Sequence, residues 1–191
     1  MQRHPRFVRV LLRFCAVSEL ETIGDQLRGL GDGLDRVQHA AAGAGQRAEE
    51  IAAQAAALGM AGVAIGVQQI QQQIMEIRQR LGTVGHSISA ALGLVVSAPP
   101  RPSPDQVIQA LSPANEQVGS ASTGLTGTAQ QVEHVQQQAH AALAGGDPGP
   151  LVQSLGQVKQ LALELAQRCA GVRQAIDQAI QQVRQTGRSG N

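Results

Sequence analysis

The side chains of this chain that could do chemistry are few and scattered. Five histidines stand at positions 4, 39, 86, 134 and 140. No two of them sit at i and i+4 on one helical face, the spacing by which paired imidazoles grip a metal. His39, His86 and His134 fall outside the apolar pattern described below, where a solvated imidazole is expected. Glu49–Glu50 and Asp32–Asp35 are neighbouring carboxylates of the kind acid–base catalysis uses, but helix surfaces carry such pairs routinely. Two cysteines, Cys15 and Cys169, are too few for a disulfide framework, and Cys169 falls in the apolar pattern as a small hydrophobe rather than a nucleophile. The glycine-rich GLGDG at 29–33 follows no strand and lacks a phosphate-binding lysine, so no nucleotide loop is implied. The run Gln68, Gln69, Gln71, Gln72 and Gln73 reads as an uncharged solvated face, with a glutamine-lined helix contact as the alternative. These residues predict no catalytic centre, no metal and no cofactor.

What must position them is a set of heptad seams. Between Val63 and Val95 the apolar residues step by four and three in strict alternation, through Val67, Ile70, Ile74, Ile77, Leu81, Val84, Ile88 and Ala91. A seam so narrow cannot bury itself and has to run along partner helices. A first seam, carrying Leu27 and Leu34, begins at Leu20 and thins to alanine before Leu58. A third contains Val132 and Val135, and a fourth Leu155, Val158, Leu165, Val172 and Ile176. The predicted fold is therefore all-α: two long antiparallel helical hairpins, packed as a four-helix bundle or held apart as separate coiled-coil hairpins.

Punctuation sets the boundaries. Ser18–Glu21 reads as a capping box that starts the first helix, and the glycines at 29–33 mark its expected bend. At LGMAG, 58–62, the phase breaks and the chain should turn back. Four prolines between 99 and 104 form a stiff linker over 98–104 that separates hairpin 18–97 from hairpin 105–187. Ser103 to Gln106 is a further capping box with proline at the first helical position. Pro113 is expected to interrupt and restart the helix that follows, and GGDPGP at 145–150 is a turn.

Composition narrows the classes. There is no Trp or Tyr, and both Phe lie within the first 14 of 191 residues, so the body must pack from aliphatic side chains alone. Segment 1–16 carries Arg3, Arg6, Arg9 and Arg13, with no acid before Glu19. Setting those four aside from the 15 Lys and Arg leaves 11 against 14 acids, a body of net charge −3 with no basic stripe for nucleic acid. The apolar runs of 1–16 are too short for a secretory signal. The segment reads as a mis-called start, a tail or a basic membrane-surface anchor. A single lysine against 14 arginines suggests GC-rich coding and an actinobacterial source.

Long, aromatic-poor hairpins with a glycine-bearing turn resemble the small ESX-type secreted proteins of actinobacteria and the helical leaders of related polymorphic toxins. LGMAG (58–62) stands where that family places its W-x-G turn, without the Trp, and the family's C-terminal Tyr signal has no counterpart here. The resemblance covers 18 to about 97, carries over no functional residue, and implies a secretion- or toxin-associated role. The expected function is a non-enzymatic protein-interaction module. The alternatives are a membrane-surface protein acting through 1–16 and a nucleic-acid-associated scaffold, the last disfavoured by charge. The expected partner is another protein or a second copy in a homodimer, not nucleic acid. The expected location is the cytoplasm, or outside the cell without a classical signal peptide.

Overall fold

The computed structural model describes residues 5–100, 102–144 and 148–188, with side chains between 18 and 185. Four helices follow in order: α1 (Pro5–Ala57), α2 (Ala61–Val96), α3 (Pro104–Ala142) and α4 (Gly149–Arg188). Each packs on its neighbours in a closed ring, α1 on α2, α2 on α3, α3 on α4 and α4 back on α1, while α1 and α3 meet only marginally across the middle. Cross-helix contacts fix the directions. Gly45 meets Ile74 and Gly85 meets Leu34, so α1 and α2 are antiparallel. Gly66 beside Ala142 and Gly124 beside Val84 set α2 against α3, and Gly33 beside Leu165 sets α4 against α1. The result is an up-down-up-down four-helix bundle, the closed one of the two forms the seams allow.

The seams merge into one core. Leu27, Leu34, Ile70, Ile74, Ile77, Leu81, Val132, Val135, Leu155, Val158, Leu165, Val172 and Ile176 are all buried in a single cluster that draws on every helix. Thr128, the buried polar residue among them, returns its hydroxyl to the Gly124 carbonyl at 2.9 Å. Because aliphatic side chains supply nearly all of this core, helices approach closely where glycine permits it. A Cβ on Gly66 would sit 2.9 Å from that of Ala142, and one on Gly124 would sit 2.8 Å from Cγ2 of Val84.

The turn at 58–62 forms as the phase break predicts. Gly59 takes φ +71°, the left-handed region glycine tolerates. The Met60 and Gly59 amides donate to the Ala55 and Ala56 carbonyls at 2.9 and 3.1 Å. That pair of bonds is a Schellman motif, and it satisfies carbonyls left open at the end of α1. The linker ends in the predicted capping box, with the Ser103 amide donating to Gln106 Oε1 at 2.8 Å and the Gln106 amide to Ser103 Oγ at 3.3 Å. The linker does not hold the hairpins apart: Pro102 is buried, and Pro99, Pro100 and Pro102 line a groove with Leu20 and Val95.

Two local expectations are corrected, the start of α1 and the break at Pro113. Helix α1 does not start at Ser18. It runs in from Pro5, because Phe7 to Val17 contains neither glycine nor proline and continues the helix, and the Ser18 carbonyl accepts from Thr22 Oγ1 within it. Residues 1–4 of the basic segment lie outside the described residues. Helix α1 is continuous through glycines 29–33; Gly29 and Gly33 face α4, with Arg168 donating to the Gly29 carbonyl at 3.0 Å, while Gly31 faces the outer side of the α1/α2 pair. Pro113 lies inside an unbroken α3, because Leu111 and Ala114 on either side are fully buried and hold the helix across the lost bond. Of the turn at 145–150, residues 145–147 lie outside the described residues.

Two stability measurements follow. Ile74→Asp places an unpaired charge in the core and should cost at least about 4 kcal/mol in urea unfolding. Pro113→Ala restores a donor to the Gln109 carbonyl and relieves the ring contact, and should add about 1–3 kcal/mol.

Candidate functional site

The chemically capable residues remain dispersed in the folded chain. Among the described residues no three His, Cys, Asp or Glu side chains come together as a metal site. His39 spends its Nδ1 on the Asp35 carbonyl one turn back, at 2.7 Å, and His134 pairs with Gln138 on α3 at 2.9 Å. Glu49, Glu50, Asp32 and Asp35 are all exposed on α1; His4 lies outside the described residues. The GLGDG segment has its amides engaged in the helix, which leaves no nest for a phosphate. Of the glutamine run, Gln68, Gln69 and Gln72 are solvated, whereas Gln73 is half-buried with its Oε1 lacking a protein donor.

Cys169 is fully buried between Leu165 and Val172. Burial pushes its thiol up from 9.0 to about 11, against the opposing pull of the Arg168 charge. At neutral pH it is a protonated core group, and thiolate is the reactive form. Burial also raises the carboxyl of Glu19, beside Leu20 near the linker.

The polar side chains divide the bundle into two unlike halves. Across α3 and α4 they form a ladder. Asn115 donates to Asp177 at 2.7 Å and accepts from Arg173 at 3.3 Å, Lys159 pairs with Glu133 at 3.2 Å, and Gln136 donates to the Val152 carbonyl at 3.0 Å. Among the described residues no side-chain hydrogen bond or ion pair joins α1 to α2. Their outer face is instead a run of open grooves. One of about 740 Å³ lies between Leu27–Gln38 of α1 and Gly82–Leu92 of α2. Further hollows continue it towards Glu49 and Gln71 at one end and Pro99 at the other.

The α1/α2 hairpin also projects. Gly66 is level with Ala142, the last residue of α3, and α4 starts about level with Glu49, so the final two turns of α1 and the start of α2 extend roughly 12 Å past their neighbours. That tip exposes Leu58, Met60 and Ile65, at 75%, 39% and 59% of their surface. It lies within an uncharged stretch from Ile51 to Met75. No described helix is long and apolar enough to cross a membrane.

Sequence reasoning placed the core residues and located the turn at the tip by its break in heptad phase. It missed the outer groove, whose signal was a second heptad register on α1: Gly24, Arg28, Gly31, Asp35, Gln38 and Ala42.

Residues 102–188 match the model of a family of unknown function (DUF6244), so the similarity spans α3 and α4 and stops short of the α1/α2 hairpin. No curated protein and no solved structure matches the chain.

The Cys169 environment gives a pH test. Its folded thiol binds its proton more tightly than the unfolded one, so its stabilisation is complete below about pH 9 and is lost as pH rises towards 11. Thermal unfolding should show that downward step in the parent chain, and Cys169→Ala should lack it.

Proposed function

We propose that this chain is a non-enzymatic helical interaction module that presents the tip of its α1/α2 hairpin to a protein partner. A secretion- or toxin-associated setting is the one its resemblance to ESX-type hairpins implies. The observation that carries the reading is the projecting tip. Leu58, Met60 and Ile65 stand exposed where none of the described helices covers them, and exposed apolar patches mark contact sites. Leu58, the last position of the α1 seam, is left uncovered, and Met60 and Ile65 lie off both seams, so core demand does not account for these exposed side chains.

A protein fits this tip better than a bilayer does. Interfacial membrane segments combine a broad apolar face with aromatic and basic anchors. Here the large apolar groups are three, the rest of the turn is alanine and glycine, and Glu49 and Glu50 stand exposed at its base. The surrounding inventory supports a binding role over catalysis: the carboxylates and imidazoles are separately solvated, and the thiol is buried and protonated.

Co-expression with the products of the flanking genes, read by size-exclusion with light scattering, tests the proposal. A stoichiometric complex is expected. Leu58→Glu with Ile65→Glu should weaken it at least tenfold and leave the melting temperature of the bundle unchanged. A complex indifferent to both charges, or flanking products that all elute apart from the parent chain, would remove the reading. Flotation on anionic vesicles should leave the chain unbound, and tip-dependent flotation would transfer the surface to a membrane.

A further inference from the structure

The outer groove of α1 and α2 is a helix-pair face without a partner, about 45 Å long from Leu20 to Glu49. Its polar lining is asymmetric in a way that identifies an occupant. Arg28 lies towards the linker end of α1, where it also pairs with Asp25 of its own helix, and Glu49 lies towards the tip. Asp35 sits just on the linker side of Gln38, and Arg78, level with Ala41 of α1, just on the tip side. Met75, level with Ala44, is an exposed apolar knob at 60%, and the hollow of about 740 Å³ is centred about level with His86 and Gly33.

These three pairs share one midpoint. Arg28 and Glu49 lie about equally far on either side of Gln38, as do Asp35 and Arg78, and as do the Met75 side chain and the hollow flanked by Gly31 and Gly82. A Cβ built on Gly31 or Gly82 meets nothing within 4 Å, so that hollow is open to an incoming side chain.

We propose that this groove is the seat of a second copy of the chain, packed antiparallel about a two-fold axis at the level of Gln38. In that register each Arg28 opposes the other copy's Glu49, each Arg78 reaches the other's Asp35, and each Met75 enters the other's hollow. Side by side in parallel, Arg28 and Glu49 would instead stay about 30 Å apart. A patch this long and two helices wide covers roughly 800 Å² per partner, the size of a standard specific interface, and it is isologous, as two-fold pairs require. The surface is distinct from the tip, so either interaction can fail without the other.

Light scattering and sedimentation of the full chain across a concentration series test this. The parent should approach twice 19.9 kDa. Asp35→Arg alone and Arg78→Asp alone should each weaken association at least tenfold, and the double variant should recover most of the loss. All these positions are exposed on helix surfaces, and thermal unfolding confirms that each variant folds. A monomer at every concentration, single variants that dimerise like the parent, or a double variant that stays as weak as the singles would each overturn the proposal.

Discussion

Every seam in this chain is too narrow to close against one neighbour, and that geometric demand governs the rest of the structure. Two apolar residues per heptad cover a strip, and a strip bounded by aliphatic side chains of modest volume stays wet unless helices flank it on both sides. Aromatic residues could have filled a wider space with fewer elements, but the described core has none. The hairpins therefore cannot each satisfy themselves. The α2–α3 and α4–α1 contacts complete the ring, and the alanine-rich half of α1, with Ala41, Ala44 and Ala48 fully buried, depends on the close approach that small residues allow.

That demand also explains what could be read in advance. Strict alternation of three and four identifies buried positions without knowing which helix covers them, so residues such as Ile74, Val132 and Ile176 were placed in the core from spacing alone. Capping at Ser103 and the turn at Gly59 were legible because their bonds are local. Pro113 was not. Its local cost of about 3 kcal/mol argues for a break, and only the burial of Leu111 and Ala114 against other helices outweighs it. The start of α1 misled in the opposite direction, since a capping-box pattern at Ser18 is neutral when the preceding residues can extend the helix. The candidate site was partly legible. The turn at the tip was visible as a phase break, but the groove depends on which flanks of two helices stay uncovered, and that is decided only when the ring closes.

The two halves of the bundle have unlike surfaces for a physical reason. On α3 and α4 the flanking positions carry Asn115, Glu133, Lys159, Arg173 and Asp177, long enough to bridge the pair and paired when they do. Such exposed bonds contribute little stability singly, yet they tie the pair of helices together along its face. On α1 and α2 the same flanks hold Gly24, Gly31, Gly82 and Gly93, which bridge nothing. Apolar surface there is uncovered at Met75 and Val96 as well as at the tip. The family similarity falls on the stitched half, while the open half carries both surfaces proposed for binding.

Those two surfaces are geometrically linked. The tip lies about 20 residues of helix beyond Gln38, or roughly 30 Å at the helical rise. A two-fold axis at Gln38 that reverses the helix direction therefore sends the two tips to opposite ends, roughly 60 Å apart. A dimer of that form is a rod with one apolar contact site towards each end, each level with about Ser18 of the other copy's α1. Two sites so far apart cannot close on one small globular partner; they suit either two separate partners or an elongated one with matching spacing. In the second case the linked sites convert a weak single contact into a strong one through effective concentration. Three exposed aliphatic side chains are a small contact by interface standards, so pairing through the groove is what would let so modest a tip hold a partner firmly.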